Sequence, residues 1–233
     1  MKLAVCVVLA QASLAFADDE PEPVAPYVAG SVETRAALEV SDAITSIAVD
    51  GFYAVNERFR IGATTSHAAR RQLGAGRGLC VVHCLDRFEG VAADAEVRLG
   101  PSFVGRAAID AVRFAPTAVA AEIGGELHAI DGRIAVVVSP TLRIGVARRD
   151  LANGDGASLP AEIDLRLGER VGISGIARVA VAFDQLDARP SFGSAGGVWL
   201  VLGPVKLTAR SGSTDVFHLR STLFADLAIA WSS

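Results

Sequence analysis

The sequence predicts an all-β protein, an antiparallel up-and-down β-barrel of about twelve strands. Two observations predict this fold class. Apolar and polar residues alternate along most of the chain beyond residue 31, and a period of two is that of a β-strand, whose successive side chains point to opposite faces. Short turns and longer loops also alternate between these segments, which is typical of neighbouring strands joined in sequence order.

The segment at 217–231 illustrates the alternation. Its odd positions are nearly all apolar, whereas the even positions include His218, Arg220, Thr222 and Asp226. One face of this strand is therefore suited to an apolar environment and the other to water. Such a strand fits a soluble sandwich with its polar face outward or a transmembrane barrel with its apolar face outward.

The chain begins with features of an export signal. Met1 and Lys2 precede the apolar run 3–9, and the small residues Ala15 and Ala17 flank Phe16. This pattern predicts a signal peptide at 1–17, cleaved before Asp18. Residues 18–28 form an acidic, proline-rich leader that we expect to be extended or disordered. Residues 29–233 are predicted to form one barrel domain.

The same alternation defines the other strands in order. The clearest lies at 88–99, where Asp94, Glu96 and Arg98 share one face and apolar residues share the other. Pro140 interrupts another segment, and because proline cannot donate to a strand ladder it predicts a bulge or a split strand there. The predicted strands are 32–40, 44–55, 59–66, 88–99, 103–113, 119–129, 134–146, 159–167, 171–183, 198–202, 205–210 and 217–231.

The connections favour a transmembrane barrel over a sandwich. Short turns are predicted at 56–58, 100–102, 131–133, 168–170 and 203–204. Between them lie connections that are often longer, at 41–43, 67–87, 115–116, 148–158, 185–195 and 211–215. A barrel with short periplasmic turns and longer outer loops has this rhythm, whereas a Greek-key sandwich does not keep it.

Aromatic residues on the apolar faces fall near strand ends, as the interfacial girdles of a membrane barrel require. Those at the short-turn ends are Tyr53, Phe59, Phe103 and Trp231, and those at the long-loop ends are Phe183 and Phe217.

The signal, the alternating connections and the terminal strand together resemble a bacterial outer-membrane β-barrel protein over nearly all of the mature chain. The resemblance is architectural and implies an outer-membrane location, contact with outer-membrane lipid and recognition by the barrel assembly machinery. In that family the last strand usually ends on an aromatic residue, whereas Trp231 is followed here by Ser232 and Ser233.

With the apolar faces toward lipid, the polar faces line a lumen. Charges of both signs are nearly balanced there, which predicts cross-strand ion pairs with water between them. The predicted lumen-lining residues are Glu33, Arg35, Asp50, Arg60, Asp94, Glu96, Arg98, Arg106, Asp110, Glu122, Glu126, His128, Arg143, Glu162, Asp164, Arg166, Arg178, Lys206, Arg210, Arg220 and Asp226.

The preferred function is a narrow pore or channel for small polar solutes. Two alternatives stay open: a plugged barrel that displays surface loops, and a soluble exported β protein that binds an apolar ligand. We expect no enzyme and no cofactor, because the four histidines are scattered and the Glu126 and His128 pair fits an ion pair better than a catalytic dyad.

The long predicted loop 67–87 has two further features. Cys80 and Cys84 predict a small disulfide in an exported protein, the alternative being a metal site that includes His83, for which no fourth ligand is evident. Four arginines, at positions 70, 71, 77 and 87, suggest binding of anionic lipopolysaccharide. The mild net charge of -4 gives no reason to expect nucleic acid.

Overall fold

The computed structural model describes residues 25–41, 44–70, 87–114, 117–148, 155–183, 190–213, 216–217 and 223–232. Within these ranges no helix is long and apolar enough to cross a membrane. The strands are β1 (Val32–Ser41), β2 (Ile44–Ala54), β3 (Phe59–Arg70), β4 (Arg87–Arg98), β5 (Phe103–Phe114), β6 (Thr117–Asp131), β7 (Ile134–Val138), β8 (Thr141–Ala147), β9 (Gly156–Arg166), β10 (Val171–Ala182), β11 (Ser191–Leu202), β12 (Val205–Ser213) and β13 (Leu223–Ser232).

The strands close into an antiparallel up-and-down barrel. Except for β7 and β8, each strand pairs with its neighbours in sequence, β13 pairs with β1, and β9 pairs with β10. Both β7 and β8 lie between β6 and β9, so they are two halves of one strand and the barrel wall has twelve strands. The predicted fold class is confirmed.

The break between β7 and β8 lies at Pro140, as the sequence predicts. The pairing register with β6 is the same on both sides, because Leu127 lies opposite Val138 and Gly124 lies opposite Thr141. The carbonyl of Pro140 still accepts a hydrogen bond from the Gly125 N–H, at 3.1 Å. The missing proline N–H thus splits the strand without shifting its register.

The strands are staggered around the barrel. The residue opposite Glu33 of β1 can be found on β2, its partner on β3, and so on; this series of paired residues reaches β6 at Glu122. Pairing followed from Ile130 on β6 through the other strands returns to β1 at Glu39. The offsets of eight residues on β6 and six on β1 give a stagger of fourteen. For twelve strands about 4.8 Å apart, this stagger corresponds to a tilt of about 40° and a backbone radius of about 12 Å.

The barrel wall is apolar outside and polar inside. Large apolar side chains alternate along the strands with high exposure, such as Ile109 at 64% and Ile123 at 65%. The intervening positions carry buried polar side chains, including Asp94 and Glu96. This distribution is the reverse of a soluble globular protein, in which apolar side chains form the core.

Several predicted strand boundaries differ from the structure by up to four residues, and two differ by more. Strand β11 begins at Ser191, although the sequence predicts a strand only from 198. Its first half contains Gly193, Gly196 and Gly197, which have no side chain to show an alternating pattern. Conversely, β13 begins at Leu223, and Phe217 lies in a turn rather than in the predicted strand.

Glycines on the inner face allow aromatic rings to lie against the wall. A Cβ atom at Gly172 would meet the Trp199 ring and the Leu165 carbonyl, whereas a Cβ at Gly175, on the outer face of the same strand, would meet nothing. The ring of Trp199 therefore occupies the space that a side chain at Gly172 would need.

Gly172→Ala should lower the free energy of unfolding by about 1–3 kcal/mol, because the added methyl group overpacks against the Trp199 ring. Gly175→Ala is the matched control and should leave stability unchanged or slightly higher. The measurement is the urea concentration at which half of the protein has lost its folded band, which is the band of a denaturing gel that shifts in mobility when the sample is heated. Equal midpoints for the two variants would contradict this packing.

Candidate functional site: the charged barrel interior

The first cluster of charges on the inner face centres on two arginines. Arg60 on β3 pairs with Glu96 on β4 and, at 2.8 Å, with Glu33 on β1. Arg106 on β5 pairs with Asp94 at 2.8 Å. The side chains of Asp94 and Glu96 are 1% and 3% exposed. Carboxylates so deeply buried need guanidinium partners, because unpaired charges are strongly disfavoured away from water.

The second cluster centres on Arg210 of β12, whose side chain is 8% exposed. It pairs with Asp226 on β13 and with Glu162 on β9, both at 3.1 Å. Lys206 of β12 also pairs with Asp164 of β9, at 3.3 Å. Strands β10 and β11 separate β9 from β12. The Arg210–Glu162 and Lys206–Asp164 pairs therefore bridge three strand spacings, and their side chains extend away from the wall into the lumen.

A third ion-paired group joins β5 and β8. Arg143 pairs with Asp110 at 2.7 Å and with Glu122 of the intervening strand β6 at 3.7 Å. The pairing of Arg143 with Asp110 also passes over one strand. Since the backbone radius is only about 12 Å, side chains that cross between strands in this way narrow the open cross-section.

The remaining predicted lumen residues belong to none of these three clusters. Glu126 and His128 lie two residues apart on β6, and the His128 Nε2 is 2.9 Å from a Glu126 carboxylate oxygen. Among the described residues no His, Cys, Asp and Glu cluster suits a metal ion. Four predicted residues form no ion pair with another described residue: Arg35, Asp50, Arg166 and Arg178.

Several predicted residues lie at the barrel mouth or outside the described part of the chain. Arg98 lines a crevice at the short-turn mouth beside Pro26 and Leu99. Arg220, Cys80 and Cys84 lie outside the described residues, as do the signal peptide and most of the basic loop. The disulfide and the signal therefore stay predictions.

The structure adds three aromatic residues that the sequence analysis did not single out. Phe52 lies against Gly62, where a Cβ atom would meet the ring, and the Arg60 guanidinium lies 4.5 Å from the Phe52 ring centre. Lys206 stands in the same way 5.2 Å from the ring centre of Trp199, which covers Gly172. Phe52 and Trp199 occupy inward positions in their strands, so the alternation itself contained the signal for both.

The third aromatic residue, Tyr27, precedes β1 at the short-turn mouth. Its ring centre lies 4.8 Å from the Arg60 guanidinium and its hydroxyl 3.4 Å from a Glu96 carboxylate oxygen. Its N–H donates to the Glu57 carbonyl at 3.2 Å. Burial raises the pKa of the Tyr27 phenol above its ordinary value, and the Arg60 charge acts in the opposite direction.

The predicted girdle residues are mostly exposed on the outer surface at the two barrel ends. Tyr53 is 48% exposed, Phe103 39% and Trp231 40% beside the short turns. Phe183 and Phe217 are 53% and 70% exposed at the opposite end. Phe59 begins β3 at the short-turn end with intermediate exposure.

Comparison with known proteins identifies the architecture. The chain superposes on the KdgM porin with a TM-score of 0.55 at 8% identity, covering 85% of this chain and 98% of the porin. The NanC porin gives 0.55 at 6% identity, with 87% and 98% covered. LpxR from Salmonella typhimurium gives 0.54 at 8% identity, with 86% and 99% covered.

The chain has the fold of an outer-membrane β-barrel. At these identities the similarity establishes the fold alone. No protein-family model and no curated protein matches the sequence.

Arg210→Met should destabilise the barrel by about 2 kcal/mol, because it leaves Asp226 buried without a cation. The Glu162 side chain is 41% exposed, so water can solvate its carboxylate once the ion pair with Arg210 is gone. Arg166→Met removes an exposed arginine that forms no ion pair among the described residues and should change stability by no more than about 0.5 kcal/mol. The urea midpoint of the folded gel band measures the stability of each variant. An equal loss of stability in the two variants would contradict the proposed role of Arg210 in bracing the wall.

Proposed function

We propose that this protein is an outer-membrane β-barrel that forms a narrow, water-filled pore for small polar solutes. The observation that carries the proposal is the inversion of the wall: apolar side chains are exposed outside a closed barrel while ion-paired charges occupy its interior. A surface of that kind is favourable in contact with lipid, and a charged interior is favourable only with water or with its own counter-charges.

The described interior argues against the soluble alternative. A soluble β protein that binds an apolar ligand would need an apolar lining, whereas the inner face carries residues such as Asp94, Arg60 and Arg210. The plugged barrel remains the competing function, because the ion pairs that bridge strands also narrow the lumen. Two of the fold neighbours are porins by name, which supports the pore but does not identify its solute.

The pairing of the charges predicts whether the pore selects its solutes by charge or by size. Four inner-face arginines, Arg60, Arg106, Arg143 and Arg210, have a carboxylate partner within 4 Å. The predicted lumen residues also carry nearly equal numbers of acidic and basic groups, so their fields partly cancel at the distance of a passing ion. We therefore expect selection by size more than by charge. We also expect no enzymatic activity and interpret the contact between His128 and Glu126 as one more pair that braces the wall.

The partners follow from the location. Outer-membrane lipid would surround the apolar wall, with the exposed aromatic residues at its two interfaces. The barrel assembly machinery would insert the chain and read its last strand, near Trp231. Binding of anionic lipopolysaccharide at the basic loop 67–87 belongs to the same proposal and rests on sequence alone.

In planar lipid bilayers the purified, folded chain should give conductance steps above the lipid baseline. Under a salt gradient the cation-to-anion permeability ratio should lie within roughly threefold of unity, because the paired charges leave little net field. Baseline current from the wild-type chain and also from Tyr27→Ala, which widens the short-turn mouth, would contradict the pore and favour the plugged barrel. A strong preference for one ion sign would contradict the neutral lining.

A further inference from the structure

We propose that residues 25–31, referred to as the N-terminal latch, partly close the short-turn mouth of the barrel from one side, with the Tyr27 ring over the opening and Arg60 as the residue that holds it there. This inference rests on the proposed pore, since a latch has a function only if the lumen conducts. It adds a means of regulating that pore from the periplasmic side.

The backbone of the latch is attached to the mouth. The N–H of Gly30 donates to the Ala54 carbonyl at 2.8 Å, and the Ala54 N–H donates to the Ser31 carbonyl at 3.0 Å. Further toward the N-terminus, the Tyr27 N–H donates to the Glu57 carbonyl at 3.2 Å. These bonds hold the segment against the turn between β2 and β3 rather than leaving it in the periplasm.

The latch also follows the rim of the mouth and sends the Tyr27 side chain over its inner edge. It enters from β1, yet the Tyr27 hydroxyl reaches Glu96 on β4, whose side chain is an inner-face group with 3% exposure. Pro26 lies beside Leu99, Gly100 and Pro101 in the turn between β4 and β5. The segment therefore spans from the first strand to the fourth and fifth, over the inward-facing side of the wall.

Arg60 fixes the position of the Tyr27 ring. Its guanidinium lies between two aromatic rings, 4.8 Å from the centre of Tyr27 and 4.5 Å from the centre of Phe52. The same guanidinium pairs with Glu96 and Glu33. The phenol ring is thus attached to a side chain that the barrel itself holds, and cation–π attraction of this kind strengthens where water is excluded.

The contacts of Tyr27 are individually weak. Its hydroxyl bond is long, at 3.4 Å. Tyr27 can leave the mouth with the loss of one backbone hydrogen bond, to Glu57, while Gly30 and Ser31 keep their bonds with Ala54. The closed state is therefore favoured by a modest factor, and brief openings are expected. Removal of the ring should raise the open probability roughly five-fold, the size of one cation–π contact.

The test compares single-channel records of the full mature chain with those of three variants. Tyr27→Ala should raise the open probability several-fold, whereas Tyr27→Phe should behave as wild type because the ring carries the contact. The matched control is Tyr53→Ala, since Tyr53 is the other tyrosine of the chain and is exposed on the outer face. A heat-dependent shift on a denaturing gel verifies that each variant is folded.

Each outcome decides between the two proposals. Conductance that is the same in wild type, Tyr27→Ala and Tyr53→Ala would overturn the latch and leave the pore intact. An equal rise in Tyr53→Ala would also overturn it, because the effect would then come from general loosening. Folded protein that never conducts, in any variant, would overturn the pore and the latch with it.

Discussion

Closure of the sheet is the constraint on which the rest of this structure depends. Pairing of β13 with β1 and of β9 with β10 leaves the wall without a free edge, so strand hydrogen-bonding groups find partners within the sheet. A bilayer core requires this, because it offers no water to an unpaired N–H or C=O. Even Pro140, which removes one donor, is accommodated without a change of register.

Closure also separates two chemical environments that the alternation of side chains then fills. The outer positions carry exposed aliphatic residues, and the inner positions carry acids and bases that pair across one to three strands. Arg210 and Arg60 act as centres in this arrangement because one guanidinium can bind two carboxylates. The same pairs that stabilise the interior also limit its width, so in the proposed pore stability and permeability would depend on the same residues.

Two aromatic rings on the inner face are held by a shared arrangement. Phe52 covers Gly62 and lies under Arg60, and Trp199 covers Gly172 and lies under Lys206. A glycine opposite an aromatic residue lets the ring lie flat on the wall, which shields the backbone. The cation above each ring then belongs to the ion-pair network, so packing and electrostatics are coupled at both places.

Much of this fold follows from the sequence, because a period of two and a regular series of turns are local signals. The strand count, the split at Pro140 and the placement of polar residues such as Asp94 on one face need no knowledge of distant contacts. The start of β11 does not follow from the sequence, because its glycines contribute nothing to an alternating pattern. The docking of Tyr27 does not follow from it for another reason: its contacts with Arg60 and Glu96 join residues 33 and 69 positions apart, and a proline-rich leader gives no local indication of them.

The central claim is that one face of the wall meets lipid while the other encloses the lumen, and the two tryptophans of the chain report on it directly. Trp231 is 40% exposed on the outer face, and Trp199 is 7% exposed on the inner face. Fluorescence of Trp199→Phe and Trp231→Phe should be measured in vesicles of brominated phospholipid, whose bromine atoms quench indoles in contact with acyl chains. The account predicts strong quenching where Trp231 remains and little where Trp199 remains. Equal quenching of the two, or stronger quenching of Trp199, would contradict it.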